Sequence, residues 1–171
     1  MSKSKFVVIT GGTKGIGKAL VQKFAQNGYS VITCARNEED LNKLKTDIEQ
    51  NHGAEIHTKS SDLSQKEEVL AFADFVQSIT DTVDVLINNT GVFLPGSISE
   101  EPEGNLEKMM DTNLYSAYHL TRQLLPAMLK QKSGHIFSIS SIAGITAYAS
   151  GGSYSITKYA MQGFTKCLRE E

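Results

Sequence analysis

Short strand-like runs alternate regularly with longer helix-like segments along this 171-residue chain, and this alternation limits the folds that it can adopt. The strand-like runs are rich in β-branched residues and are bounded by turn or polar residues. They lie at residues 5–10, 30–34, 55–59, 83–87 and 135–139. Helical patterns lie at residues 15–27, 38–51, 65–80, 106–132 and 153–171. Short strands joined by helices predict a parallel sheet with helices on both faces.

The topology of that sheet follows from how parallel strands are connected. Right-handed crossovers make a Rossmann-type doubly wound sheet the leading topology. We therefore predict an α/β fold with strand order 3-2-1-4-5. The length predicts a single domain over residues 1–171, large enough to bury a core.

Composition narrows the function classes. Hydrophobic residues make up 40% of the chain and charged residues 21%, as in ordinary soluble proteins. The net charge is −2 and the basic residues are dispersed, which argues against nucleic acid or an anionic membrane as a partner. No apolar run reaches the length of a membrane span, and the first strand leaves no room for a signal peptide. Two distant cysteines, Cys34 and Cys167, do not suggest a disulfide framework, so a cytoplasmic protein is expected.

The histidines give no indication of a metal site. They show no metal-ligand spacing and have no companion cysteine cluster. The four are His52, His57, His119 and His135. We predict that they are surface or packing residues.

The long helical pattern at residues 106–132 is apolar on more than one face. One face must cover the sheet, and the other could meet a partner subunit or lie buried in a monomer. Pro126 falls inside this segment, which predicts a kink or break there.

A glycine-rich turn follows the first strand and opens the first helix. Glycines allow a tight turn and let backbone N–H groups approach a pyrophosphate, and the helix start adds a positive dipole end. Its position between strand and helix indicates a nucleotide-binding site. The predicted cofactor-binding residues of this turn are Gly11, Thr13, Lys14, Gly15, Ile16 and Gly17.

The end of the second strand bears on which nicotinamide cofactor is preferred. An acidic residue there would accept hydrogen bonds from the ribose 2′-hydroxyl and indicate NAD. This chain has Arg36 near the strand end and no acid there. Arg36 can pair with a 2′-phosphate, and Lys14 adds a second cation, so we predict NADP(H). The alternative is that both are solvated surface charges.

Tyr154 and Lys158 are four residues apart and therefore share a helix face. A free phenol is a weak acid with a pKa of about 10. A nearby ammonium favours its ionised form. Ser141 could hydrogen-bond the same substrate oxygen. A Tyr and a Lys at this spacing could also arise by chance, so a proton-delivery site is a hypothesis that depends on the motifs upstream.

With both motifs present, the chain resembles the short-chain dehydrogenase/reductase family in its single-domain form. The resemblance covers the whole chain and rests on separated stretches in the family's order. These are the turn at residues 10–17, Asp62-Leu63 after the third strand, residues 88–91 after the fourth, Asn113 in the long helix, and Ser141 with Tyr154 and Lys158.

The resemblance implies cofactor contacts for residues that follow the third and fourth strands. Asp62 and Leu63 match positions that flank the adenine. Asn88, Asn89 and Gly91 match a segment that supports the central sheet and borders the cofactor. Taken in isolation, Asp62 could instead cap the helix ahead of it.

The resemblance also implies four catalytic residues. Tyr154 matches the proton donor or acceptor, and Lys158 favours its ionisation and holds the nicotinamide ribose. Asn113 matches a residue that holds a water linking Lys158 to solvent. Ser141, thirteen residues before Tyr154, matches the substrate-orienting serine rather than Ser140. In isolation Asn113 could bridge helix and strand, and Ser141 could be a turn residue.

The expected activity is hydride transfer between NADP(H) and a carbonyl or secondary alcohol, with Tyr154 as general acid and base. The alternative is an NADP-binding protein without turnover. Residues 92–104 and 144–152 should border the pocket of a small-molecule substrate, whose class stays open. The resemblance also implies a homo-oligomer built on helices 106–132 and 153–171.

Two features depart from the family pattern. Thr90 stands where the family usually has alanine. The family usually runs to about 250 residues, so the resemblance implies that the last strands and the substrate lid are absent from the 171 residues.

Overall fold

The computed structural model describes residues 4–171 and contains one five-stranded parallel sheet. The strand order is β3-β2-β1-β4-β5, which confirms the predicted Rossmann-type α/β fold and its order. The strands are β1 (Lys5–Thr10), β2 (Tyr29–Ala35), β3 (Ile56–Ser60), β4 (Val85–Asn88) and β5 (His135–Ser138). The helices are α1 (Gly15–Gln26), α2 (Glu38–His52), α3 (Lys66–Ile79), α4 (Asn105–Met110), α5 (Ser116–Gln131) and α6 (Gly152–Glu170).

Each face of the sheet buries a separate hydrophobic cluster because successive strand side chains point to opposite faces. Val8 of β1 lies in a cluster with residues of α3 and α5. Its neighbours Val7 and Ile9 lie in a second cluster with residues of α1 and α2. All three β1 side chains are fully buried. The middle of β1 is therefore apolar on both of its faces, as a sheet covered on both sides requires.

The fourth strand is shorter than predicted. It begins at Val85, and Asp84 lies just before it. The Asp84 carboxylate accepts a hydrogen bond from the Phe6 N–H at 2.8 Å, so Asp84 holds the beginning of β1.

The segment predicted as one helix over residues 106–132 consists of three parts. A π-helical turn, Asp111–Tyr115, separates α4 from α5. The break predicted at Pro126 is wrong, because α5 continues through that residue. Proline has no N–H, so the hydrogen bond from position 126 to the Arg122 carbonyl is missing. Both Pro126 and Arg122 lie on the exposed side of the helix. Water can therefore replace the missing hydrogen bond.

The two faces of α5 differ in burial. Leu120 and Leu124 are buried in the core, whereas Tyr118 and Leu129 are exposed. The second apolar face is therefore uncovered in the single chain, and a partner subunit for it stays a prediction. Among residues 4–171, no helix combines the length and the apolar character needed to cross a bilayer.

Candidate active site

A cleft of about 780 Å³ runs along the carboxyl ends of β1, β2, β4 and β5. In an open parallel sheet this edge is where ligands bind. Most of the residues predicted from the sequence line it. Those that do are Gly11, Thr13, Lys14, Ile16, Gly17, Arg36, Asp62, Leu63, Asn89, Gly91, Tyr154 and Lys158. The cleft lining does not include Gly15, Asn113 or Ser141.

The glycine turn is packed too closely for larger side chains. A Cβ added to Gly17 would lie 2.1 Å from the Gly11 carbonyl oxygen, and one added to Gly12 would lie 2.1 Å from Thr33 Oγ1. Gly11 has a φ of +70°, a conformation that favours glycine. The N–H groups of Gly11 and Gly12 both donate to the Cys34 carbonyl, at 3.0 and 3.2 Å. The turn is thus fixed against the end of β2.

Thr10 joins the glycine turn to the segment after β4. No separate role was predicted for this residue from the sequence. Its Oγ1 accepts hydrogen bonds from the N–H groups of Asn89 and Thr90, each at 2.9 Å. In return, Asn89 Nδ2 donates to the Thr10 carbonyl at 2.8 Å. In the sequence, the feature that could have indicated this contact is a residue with a hydroxyl group directly before the glycines. Thr90, the departure from the family pattern, lines the same cleft.

The two cationic residues predicted to bind a 2′-phosphate, Arg36 and Lys14, lie at the β2 end of the cleft. Arg36 is exposed and follows the last residue of β2. Lys14 Nζ lies 3.0 Å from Asp40 Oδ2, and the Lys14 side chain is 80% exposed. Asp40, in the first turn of α2, was not predicted as a site residue although it lines the cleft. Arg36 and Lys14 both border the same space, with an acidic group beside Lys14.

Asp62 and Leu63 lie at the cleft where β3 gives way to α3. Asp62 Oδ1 accepts from the Ser64 N–H at 3.1 Å and from Ser64 Oγ at 2.9 Å. Asp62 therefore shapes the turn, while Gln65 occupies the N-cap position of α3 without a capping hydrogen bond from its side chain. Leu63 is 4% exposed and anchors the turn in the core.

Helix α6 brings Tyr154 and Lys158 to the other end of the cleft. Lys158 Nζ lies 5.6 Å from the centre of the Tyr154 ring and donates to the Ile139 carbonyl at 3.0 Å. Lys158 is 5% exposed, and burial lowers the pKa of its ammonium from the usual value. An ammonium has three donors, so this one contact leaves others for a bound molecule.

Phe93 completes the surroundings of Tyr154 and was missed as a contact of this residue. The two rings meet edge to face with their centres 4.7 Å apart. Phe93 also lines the cleft, although about half of its side chain is exposed. Its place in a segment without regular structure left no periodic signal from which the contact could be predicted.

Asn113 lies in the π-helical turn and is fully buried. Its Oδ1 accepts from the Val92 N–H at 2.7 Å, and its Nδ2 donates to the Val92 carbonyl and to Thr157 Oγ1, each at 3.0 Å. The side chain thus bridges the segment after β4 and α6, as one reading of the sequence allowed. The water that Asn113 is expected to hold stays a prediction.

Ser141 and Ser140 differ in their surroundings. Ser141 Oγ accepts from the Ala143 N–H at 3.2 Å and caps the short 3₁₀ turn Ile142–Gly144. Its own hydroxyl proton remains available for another acceptor. Ser140 lines the cleft, and its Oγ accepts from Gln162 Nε2 at 3.2 Å. The structure therefore does not bring the Ser141 side chain into the cleft lining beside Tyr154.

Comparison with known families gives one consistent result. A family model described as short chain dehydrogenase matches residues 5–171. Dehydrogenase/reductase SDR family member 7B of Xenopus tropicalis is 36% identical over 170 residues, which cover 96% of this chain and 55% of that protein. The chain therefore spans about half the length of this relative. An uncharacterized oxidoreductase of Listeria monocytogenes is 33% identical, with 99% of this chain and 68% of that protein covered.

Solved structures with the same fold include complexes with nicotinamide cofactors. A metagenomic short-chain oxidoreductase in complex with NADP is 33% identical, with a TM-score of 0.91 over 97% of this chain and 75% of that chain. The L-sorbose reductase of Gluconobacter frateurii, complexed with NADPH and L-sorbose, is 28% identical, with a TM-score of 0.92. That match covers 97% of this chain and 63% of the reductase.

Proposed function

The chain belongs to the short-chain dehydrogenase family, and from this premise we propose that it is an NADP(H)-dependent oxidoreductase acting on a carbonyl or secondary alcohol. The observation that carries the proposal is the position of Lys158 Nζ, 5.6 Å from the centre of the Tyr154 ring. Both side chains line the cleft that begins at the glycine turn. A cofactor in that cleft would therefore extend from the turn towards the proton-delivery pair.

The residues of the cleft fit a nicotinamide cofactor. The absence of a side chain at Gly17 lets the start of α1 pack directly on Gly11, and this helix start lines the cleft, where its N–H groups could bind a phosphate. Two similar structures are complexes with NADP or NADPH, which supports the same cofactor here. When bound, NADPH supplies the hydride that reduces the carbonyl carbon and becomes NADP⁺.

The preference for NADPH over NADH is proposed from Arg36. Its guanidinium stands at the end of β2 and can form paired hydrogen bonds with a 2′-phosphate. Lys14 would add a second positive charge, although its ion pair with Asp40 partly neutralises that charge. Arg36 is therefore expected to contribute more to the preference than Lys14.

In the proposed reaction the Tyr154 hydroxyl donates its proton to the substrate oxygen as the carbonyl becomes an alcohol. The Lys158 ammonium favours the resulting phenolate and keeps its place through the Ile139 carbonyl. The second hydrogen bond to the substrate oxygen, which the resemblance assigns to Ser141, would require that hydroxyl to reach the cleft from its capping position. The water held by Asn113 would then return a proton through Lys158. In the direction of alcohol oxidation, the Tyr154 phenolate accepts the proton.

The experiment that tests this function is a set of carbonyl substrates assayed with NADPH and with NADH. It should use the longest form of the protein that can be expressed. On any substrate accepted, Tyr154→Phe should lower kcat by about 10²–10⁴-fold, because the proton donor is gone. Its NADPH Kd should change little, because the phenyl ring is retained.

A matched control is Tyr29→Phe, which removes a phenol at the beginning of β2, at the edge of the sheet opposite the cleft. This variant should keep wild-type turnover. Wild-type turnover in Tyr154→Phe would contradict the proposed role of Tyr154. NADPH binding with no reduction of any substrate would instead support a cofactor-binding protein without turnover, which the position of Ser141 outside the cleft lining would help to explain.

A further inference from the structure

The helix that carries Tyr154 and Lys158 begins without a capping side chain of its own. Helix α6 starts at Gly152, its N-cap residue is Gly151, and its first turn contains no acidic residue. The first N–H groups of a helix lack partners within the helix and form its positive end. A negatively charged acceptor from elsewhere in the chain would stabilise this start.

Glu101 supplies that acceptor from 52 residues earlier in the chain. Its Oε1 accepts a hydrogen bond from Ser153 Oγ, and its Oε2 accepts from the Ser153 N–H at 3.4 Å. Ser153 is 1% exposed and Glu101 is partly exposed, so both contacts are partly shielded from water. A hydrogen bond to a charged group is stronger than one between neutral groups, and burial adds to it.

The backbone around Glu101 is joined to the same helix start. The Gly96 N–H donates to the Ser150 carbonyl at 3.2 Å. A Cβ added to Gly152 would lie 2.4 Å from the Gly96 carbonyl oxygen and 3.1 Å from Glu101 Oε2. The absence of a side chain at Gly152 therefore allows the segment 96–101 to lie directly against the helix.

The same connection between β4 and α4 also contacts the catalytic tyrosine from another side. Phe93 packs on the Tyr154 ring, and Glu101 holds Ser153, the residue immediately before Tyr154. We propose that Glu101 is a positioning residue, which fixes the first turn of α6 and thereby the place of the Tyr154 hydroxyl. This inference rests on the proposed function, because it assigns Tyr154 the proton transfer.

The test compares Glu101→Ala, Glu101→Gln and Ser153→Ala. Loss of the acceptor in Glu101→Ala should lower kcat by about tenfold to 100-fold, because a displacement on the order of 1 Å has that cost. Glutamine keeps a carbonyl oxygen that can accept from Ser153 Oγ, so Glu101→Gln should recover most of the loss. Ser153→Ala should lower kcat in the same way, and the double alanine variant should be no worse than either single one.

Two measurements separate positioning from a general loss of stability. Turnover is expressed per NADPH-binding site, so unfolded protein does not count, and the NADPH Kd should stay unchanged in all variants. Hydrogen exchange of the amides at residues 153–157 should be faster in Glu101→Ala than in the wild type. The matched control is Glu49→Ala, which removes a surface carboxylate of α2 that pairs with Lys45 and should leave both readings unchanged.

The possible outcomes distinguish the two proposals. Wild-type kcat and unchanged exchange in Glu101→Ala would overturn the positioning role while leaving the reductase function intact. If Glu101→Gln is as slow as Glu101→Ala, loss of the acceptor oxygen is not the cause of the lower kcat, and the proposed contact is overturned. If Glu101→Ala does not fold, Ser153→Ala provides the same test from the helix side. If the wild type reduces no substrate, the proposed function fails, and faster exchange in Glu101→Ala would still support the contact.

Discussion

Strands β1 and β5 end at the same cleft, but one is buried on every side and the other is half exposed. In β1, Val7, Val8 and Ile9 are fully buried, with strand partners on both edges. Within residues 4–171, β5 pairs with β4 alone, and Phe137 is 51% exposed. The glycine turn follows the first strand, while Lys158 is tied to the residue after the last. The two halves of the proposed site are therefore held by different strands: the glycine turn by the buried β1, and Lys158 by the partly exposed end of β5.

The two halves differ because different kinds of contact hold them in place. The turn after β1 is held by backbone contacts to β2 and by Thr10 to the segment after β4, so its shape depends on the most buried part of the sheet. Tyr154 depends on α6, whose first turns are joined to the rest of the chain by side-chain contacts such as those of Glu101 and Lys158. Substitutions in the first region should therefore affect folding and cofactor binding together. Those in the second should affect chemistry more than stability.

The strongest test of how the glycine turn after β1 is held is Gly17→Ala. The added methyl group would meet the Gly11 carbonyl at 2.1 Å and Asn89 Nδ2 at 2.6 Å, so the turn must move. We expect NADPH binding to become undetectable by calorimetry and the free energy of unfolding to fall by about 1–3 kcal/mol. The matched control is Gly163→Ala in α6, where nothing lies within 4 Å of an added Cβ. That variant should be more stable by about 0.5–1 kcal/mol. NADPH binding at wild-type affinity in Gly17→Ala would show that the turn adapts freely.

A pair of truncations compares the two strands directly. Ile9→Ala creates a cavity beneath β1 and should lower the free energy of unfolding by about 2–5 kcal/mol. Phe137→Ala removes a larger side chain, yet the loss should be only about 1 kcal/mol because half of that ring is already in water. Urea unfolding of both variants measures the difference. Equal losses would mean that β5 is as firmly packed as β1.

Arg36→Ala tests the cofactor preference at the β2 end. Loss of a charge-assisted pair costs about 1.5–3 kcal/mol, so the NADPH Kd should rise by about tenfold to 100-fold while the NADH Kd stays unchanged. Lys14→Ala should have a smaller effect on NADPH, because Asp40 already pairs with that lysine. Titration of each variant with both cofactors provides the measurement. An equal rise for NADH would assign Arg36 a role other than 2′-phosphate recognition.

The smallest expected effect concerns the two thiols, one in each region. Burial raises the pKa of the Cys34 thiol to about 12, whereas Cys167 is exposed on α6. Because the thiolate is the reactive form, only Cys167 should react with a thiol reagent in the folded protein at about pH 8. Both should react after denaturation. Folding keeps Cys34 protonated, so its contribution to stability should decline as pH rises above the ordinary pKa of 9.0 towards 12. Rapid labelling of Cys34 in the native state would show that the end of β2 opens.

Local patterns predicted the parts of the fold whose causes are local. The alternation of β-branched runs with helical segments predicted the five strands, because strands covered on both faces must be apolar. Their order followed from the right-handed crossovers of a doubly wound sheet. The glycine turn was predictable because its residue types are demanded by backbone geometry at one place. Tyr154 and Lys158 were predictable as neighbours because four residues are about one turn of a helix.

Contacts between distant segments were not predictable in this way. The π-helical turn that holds Asn113 has no periodic signature, and the bridge from Asn113 to Val92 and Thr157 joins three segments. The capping role of Ser141 depends on the short turn that follows it. Glu101 was one surface acid among many until the fold placed it on Ser153.

The class of the sheet, the glycine turn and the shared helix face of Tyr154 and Lys158 could be read from the amino-acid sequence, since each depends on residues close together in the chain. The side chains that hold these parts in place are visible only in the folded chain: Thr10 at the turn, Phe93 on Tyr154, and Glu101 at the start of α6. The reason is that a hydrogen bond or ring contact between segments depends on where the whole chain brings them, whereas turns and helix faces depend on neighbouring residues alone.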